Sequence, residues 1–221
     1  MFFFDVHTHK ESLSENVFSV ENKYPNSTDF TKPFSIGIHP WFIERENIAK
    51  ELLIIEEKLQ NENCFALGEC GLDKATATDF ELQKIVFRKQ IQLSEKYKKP
   101  LIIHCVKAFQ EIIEFKKELK PHQIWILHGF NKNLQVAESL LKNGIVLSIG
   151  AAIIHHKKLQ EVVSKVAISS LLLETDNDKV DVKEVYQKIA AIKKITVKDL
   201  QQKIKRNFVS LFPRVQSRGF F

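Results

Sequence analysis

The residues that could carry chemistry in this 221-residue chain are imidazoles and carboxylates placed where short apolar runs stop. His7-Thr8-His9 follows the run at residues 2–6. Side chains of an extended segment alternate with a period of two, so His7 and His9 face one side while Thr8 faces the other. Two such imidazoles can chelate a divalent ion, each bond being about 2.0–2.1 Å for zinc. Alone, the H-x-H spacing is weak evidence, but four further residues join it. Glu69 follows residues 64–68, His104 follows 101–103, His128 follows 124–127, and Asp176 lies just beyond 170–173. The two oxygens of Glu69 can bridge a pair of cations, His104 and His128 offer neutral nitrogen, and Asp176 offers a negative oxygen. Taken singly, His104 reads equally as a hydrogen-bonded core histidine and Glu69 as half of an ion pair. Burying all six together without a cation would strand charge and polar nitrogen away from water, which is costly. The set therefore predicts a metal site.

The elements that must position these residues follow from the same runs. Apolar segments at 2–6, 16–20, 34–38, 64–68, 101–103, 124–127, 144–149 and 170–173 are candidate strands. Most are continuously apolar, as parallel strands covered on both faces are. Helical patterns at 46–60, 80–98, 109–119, 134–142 and 157–166 separate most of them, and 196–212 reads as an amphipathic closing helix. Thr78 with Glu81, and Thr196 with Asp199, have the spacing of helix N-terminal capping pairs. The stretch between the second and third strands has no helical pattern. Alternating strands and helices point to a parallel barrel or a doubly wound sheet. The polar residues come from at least five strand ends, and only a closed barrel gathers those ends into one ring. The expected fold is α/β, a (β/α)8 TIM-type barrel over residues 1–221 as a single domain, irregular near the second strand.

Other residues stand next to this set. His39, after residues 34–38, would face the same mouth as a substrate-binding group. Lys107, shortly after His104, either meets a substrate phosphate or is an ordinary lysine at a helix start. Glu174 shares a side with Asp176 by alternation and either orients a ligand or packs in the barrel. Cys70 and Cys105 each follow a ligand position by one, so alternation turns them to core packing. His122, His155 and His156 fall in loops or at a helix start and read as surface residues. Trp125 and the phenylalanines read as core.

The net charge is +6, which favours anionic partners such as nucleic acid or a phosphorylated metabolite. The lysines alternate with glutamates along stretches such as Glu114 to Lys120, the pattern of a solvated helix face. Three cysteines make no disulfide framework or paired metal spacing. The start, MFFFDVHTHK, lacks the basic region of a signal peptide, and no uncharged apolar run reaches membrane-spanning length. The expected location is cytoplasmic, with no membrane association and no protein partner.

In order along the chain, Asp5-Val6-His7-Thr8-His9, Gly37-Ile38-His39-Pro40, Gly68-Glu69-Cys70-Gly71-Leu72-Asp73, Ile103-His104, Leu127-His128-Gly129-Phe130 and Leu172-Leu173-Glu174-Thr175-Asp176 form a pattern. It resembles the TatD family of metal-dependent deoxyribonucleases, within the amidohydrolase-like group. The resemblance implies a TIM-type barrel holding one or two divalent metals. It places His7, His9, Glu69 and Asp176 on one metal and Glu69, His104 and His128 on a second, Glu69 bridging. It further implies 3′–5′ exodeoxyribonuclease activity by metal-activated water, with Asp176 and Glu69 catalytic and DNA or another phosphate-containing molecule as substrate. Val106, the run His128-Gly129-Phe130-Asn131-Lys132, and Asn177-Asp178 depart from the family's usual loops while the ligands stay. The same site could hydrolyse another small ester, amide or phosphomonoester, and a non-catalytic degenerate barrel is the remaining reading. Imidazoles with carboxylates suit zinc, manganese or iron, and magnesium less naturally because it prefers oxygen.

Overall fold

Continuously apolar strands need cover on both faces, and the structure, a computed structural model describing residues 2–10 and 16–212, supplies it. The strands are β1 (Phe3–Thr8), β2 (Val17–Lys23), β3 (Phe34–Ile36), β4 (Cys64–Asp73), β5 (Leu101–Val106), β6 (Trp125–Leu127), β7 (Ile145–Ile149) and β8 (Leu171–Leu173). They join one eight-stranded sheet in sequence order. The pairs β1/β2, β3/β4, β4/β5, β5/β6 and β7/β8 are parallel. Thr8, ending β1, makes a parallel bridge to Asp176 beyond β8. The helices are α1 (Ile48–Lys58), α2 (Phe80–Tyr97), α3 (Phe109–Leu119), α4 (Leu134–Lys142), α5 (Lys157–Lys165), α6 (Val182–Lys193) and α7 (Val197–Leu211). The fold is a (β/α)8 barrel, as expected. Among the described residues, no helix is long and apolar enough to cross a membrane.

The irregularity expected near the second strand is present. β2 alternates buried and partly exposed residues, unlike the continuously buried β4, and no helix lies between β2 and β3. By contacts the chain falls into two compact units, one of Asn22–Leu127 with Asn143–Ile145, the other of Met1–Glu21, His128–Lys142 and Val146–Phe221. In the first, Phe87 packs edge-on to Phe115 and Trp125. In the second, Phe4, Phe18 and Phe208 cluster with ring centroids 4.9–6.1 Å apart.

Several local expectations need correction. The strand at residue 64 does not stop at Gly68: β4 runs to Asp73 and β5 runs to Val106, so Glu69 and His104 sit inside strands. α2 is capped by Asp79, whose carboxylate accepts from the Leu82 N–H at 2.8 Å. Thr78 instead offers its carbonyl to Gln83 Nε2, so the Thr78–Glu81 pair is not the cap. Thr196 does cap α7, its hydroxyl accepting from the Asp199 N–H at 3.0 Å. α6, with a full capping box between Asp181 and Glu184, has no counterpart in the sequence reading. The segment from Arg214 to Phe221 lies outside the described residues.

Register matters most for the site. From Asp5 to Thr8, β1 takes three steps while β2 takes two, from Ser19 to Glu21. From Leu67 to Cys70, β4 takes three steps while β5 takes two, from Leu101 to Ile103. Each extra residue is a bulge, which re-aims a nearby side chain. The bulges span His7 and Glu69, two of the expected ligands. Gly68, inside the second one, and Gly71, just past it, have φ of 142° and 144°. A Cβ at Gly71 would fall 2.1 Å from the His104 carbonyl oxygen, so only glycine lets β4 lie this close to β5.

Candidate metal centre

Each compact unit carries one cluster of imidazoles and carboxylates. In the unit holding β1 and β8, the two histidines of the H-x-H pair meet Asp176. Asp176 follows β8 and has a left-handed backbone, φ 54°. Its N–H donates to the His7 carbonyl at 2.9 Å, and the His9 N–H donates to the Asp176 carbonyl at 3.1 Å. Thr175 donates to both oxygens of Asp5, from its N–H at 3.0 Å and its hydroxyl at 2.7 Å. Burial, outweighing these bonds, pushes Asp5 up to about 7. The segments around His7 and Asp176 are thus stitched together through the backbone and a buried Asp–Thr pair.

This stitching sets the geometry. His7 Nε2 and His9 Nε2 stand 3.6 and 3.3 Å from the same oxygen, Asp176 Oδ1. Hydrogen bonds of this type run about 2.7–3.2 Å. Ligand atoms around a tetrahedral zinc, with bonds of about 2.0–2.1 Å, stand about 3.4 Å apart. The donor set therefore fits a divalent cation. The His128 ring lies 4.5 Å from that of His7, centroid to centroid, and His7, His128 and Asp176 each place a ligand atom within 4.8 Å of the others. Burial alone would raise the Asp176 carboxyl, but His7 and His9 hold it far below the ordinary range. Glu174, fully buried, accepts from the Gly129 N–H at 2.6 Å and stands 3.7 Å from His128 Nδ1. It lies outside β8, so simple strand alternation does not set its direction.

The second cluster is held by short bonds. His39 Nδ1 accepts from the Trp41 N–H at 3.1 Å. The ring proton then sits on Nε2, which donates to Glu69 Oε1 at 3.0 Å. His104 Nδ1 lies 2.9 Å from that same oxygen, and its Nε2 lies 3.1 Å from Asp73 Oδ2. The Trp41 indole donates to Asp73 Oδ2 at 2.6 Å, and the Ala75 N–H donates to Oδ1 at 2.7 Å. Burial works to raise Asp73, but the bonds from Trp41, Ala75 and His104 outweigh it and lower its pKa. Gln83 clamps the Asp73 backbone through both its N–H and its carbonyl. Asn22 Oδ1 accepts from the Glu69 N–H at 2.8 Å.

The structure thus brings His7, His9, His128 and Asp176 together in one unit, and His39, Glu69 and His104 in the other. No described contact joins the exposed Lys107, φ 54°, to either cluster. Cys70 is buried, as expected, and His122, His155 and His156 are exposed. Asp73 and Trp41 received no role from the sequence. Asp73 closes the Gly68–Asp73 motif, and Trp41 stands two residues after His39, so position within those motifs was the signal available.

A family model described as TatD related DNase matches residues 2–213. The chain is 36% identical over 148 residues to an uncharacterized metal-dependent hydrolase of Buchnera aphidicola subsp. Baizongia pistaciae, covering 65% of this chain and 55% of that protein. It therefore spans about half the length of that relative. It is 31% identical over 196 residues to the uncharacterized metal-dependent hydrolase YabD of Bacillus subtilis, covering 80% of this chain and 76% of that one. Its fold is similar to the crystal structure of YjjV, a TatD homologue from Escherichia coli K12. That match has a TM-score of 0.81 at 21% identity and covers 96% and 98% of the two chains.

Proposed function

We propose, from the premise that this chain belongs to the family of TatD related DNases, that it is a metal-dependent hydrolase of phosphodiester bonds acting on single-stranded DNA from the 3′ end. The observation that carries the reading is the convergence of His7 and His9 on one oxygen of Asp176 at metal-ligand spacing. His7, His9, Glu69, His104, His128 and Asp176 would hold one or two divalent cations. A bound cation lowers the pKa of water to about 7 and polarises a phosphoryl oxygen.

The chain's own residues complete the work. Asp176, held ionised at neutral pH by His7 and His9, would accept a proton from the attacking water. The His39 Nε2–H fixes the Glu69 carboxylate, and Asp73 fixes the ring of His104 through Nε2. Such carboxylate–histidine contacts orient a ligand and raise its basicity. Glu174 stands in the corresponding place beside His128.

The test is hydrolysis of end-labelled single-stranded DNA by the purified chain with added manganese. Stepwise shortening from the 3′ end supports the reading. Intact DNA across manganese, zinc and magnesium would reject it.

A further inference from the structure

Trp41 is tied to the Glu69 cluster at two points and still stands half in water. Its backbone N–H donates to His39 Nδ1 at 3.1 Å, and its indole N–H donates to Asp73 Oδ2 at 2.6 Å. Asp73 is buried, yet 54% of the Trp41 surface stays exposed. Solitary exposed apolar side chains are ordinary. This one is different because its polar edge is pinned to a buried carboxylate, so the ring cannot turn away to bury itself. A rigid, half-exposed indole beside a cluster of metal-ligand type offers a fixed flat area to a guest.

The rings around Trp41 leave that area open. His39, His104 and Phe42 touch it with centroids 4.9, 5.7 and 6.4 Å away, at 84°, 77° and 80° to its plane. None of the three lies flat against the indole. Were both faces covered, only the rim of the ring would meet water, well short of half its surface. One face is therefore left to solvent. Phe42, equally exposed, stands too close and too steeply for a base to enter between the two rings. It borders the open face and does not sandwich a guest. The guest must be flat, and the neighbouring cluster, read as a cation site, calls for an anion joined to it. A single strand of nucleic acid carries both parts, since bases stack on aromatic rings whatever the sequence. The net charge of +6 favours such a polyanion.

We propose that Trp41 is a stacking platform for one nucleobase of a bound single strand, holding the adjoining phosphate at the cluster of His39, Glu69 and His104. The platform rests on the proposed nucleic-acid substrate. It selects for the presence of a base and not for its identity.

Trp41 reports on its own occupancy. The chain has two tryptophans, and Trp125 is shut from water, so quenching by a stacked base falls on Trp41. The zinc-loaded chain is titrated with short phosphorothioate strands, whose linkages resist hydrolysis: one of thymidine, one of deoxyadenosine and one of abasic residues. Both base-bearing strands should quench the emission and bind at least about fivefold tighter than the abasic strand. Trp41→Leu, followed by strand anisotropy, should reduce that advantage to near unity. Trp41→Phe loses the bond to Asp73 but keeps a ring, and should retain most of the advantage. An effect carried only through Asp73 would weaken all three strands together and leave their ratio unchanged. Equal affinities for abasic and base-bearing strands would overturn the platform. So would an advantage that survives Trp41→Leu, or one lost as fully in Trp41→Phe. A chain that prefers base-bearing strands but cuts no DNA would reject the proposed function and leave the platform standing. A chain that cuts DNA but binds the three strands alike would do the reverse.

Discussion

The two clusters use the same residue types and are built in opposite ways. Around Asp176, two imidazoles approach one oxygen at 3.3 and 3.6 Å, and bonds between the backbones of these same residues hold that spacing. Around Glu69, the side chains bond one another directly: His39 and His104 at 3.0 and 2.9 Å from one oxygen, then Asp73, then the Trp41 indole. The first is an open set of donors whose mutual contacts are long. The second is a hydrogen-bonded chain in which each partner limits the rotation of the next. A site can thus be preorganised by its backbone or by its side chains, and the two should respond differently to substitution.

The largest difference should appear at Asp176. Asp176→Asn keeps the shape but removes the negative oxygen, so hydrolysis is expected to fall by about 10²–10⁴-fold. The backbone bonds that hold this cluster are untouched, so the melting temperature should stay within a few degrees of wild type. A variant that unfolds, or one that turns over normally, would erase the distinction drawn above.

Asp73→Ala attacks the other design. It frees one side of the His104 ring and strands the Trp41 indole. Metal affinity, measured by titration of the stripped chain, is expected to drop by about 10–100-fold. Unchanged affinity would show that His104 needs no support from Asp73.

Trp41→Phe is gentler, because it removes one hydrogen bond while Ala75 still holds Asp73. A stability loss of about 1 kcal/mol in denaturant titration is expected, with activity reduced only a few-fold. A drop in metal affinity as severe as that of Asp73→Ala would mean that Trp41, not Ala75, fixes the carboxylate.

Lys116 is a control outside both clusters. Burial lowers its pKa to about 8 from the ordinary 10.5, and its Nζ lies 4.8 Å from the centre of the Trp125 ring. Between about pH 8 and 10.5 the unfolded chain binds more protons here than the fold does, so this group makes stability rise with pH across that window. Below about pH 8 the cost of burying the charge is fully present. Lys116→Met should therefore stabilise the fold most at pH 7, with its advantage over wild type shrinking toward pH 10 in thermal melts. An advantage that does not change with pH would show that Lys116 is not buried as a charge.

What the sequence disclosed follows from the same contrast. His9 and Asp176 were legible because they lie just past the ends of short apolar strands, and His7 by its H-x-H spacing with His9. Glu69 and His104 were legible by type, but their places inside β4 and β5 were not. The bulges that re-aim His7 and Glu69 come from register against neighbouring strands, which an apolar pattern does not record. Asp73 and Trp41 meet only in space, through residues far apart in the chain. α6 escaped because its amphipathic pattern follows directly on the polar residues after Asp176. The choice of Asp79 over Thr78 as a cap turned on one residue of offset, finer than capping preferences resolve. Where Thr196 stood alone at the right spacing, its cap was readable.

The central claim is that these clusters hold a catalytic divalent cation. It is tested most directly by stripping the purified chain with a chelator and returning manganese stepwise, following bound metal and DNA hydrolysis in the same samples. The expected result is activity absent in the stripped chain, rising with bound metal and levelling at one or two equivalents. Full activity in the stripped chain, or metal bound with no hydrolysis at any loading, would contradict it.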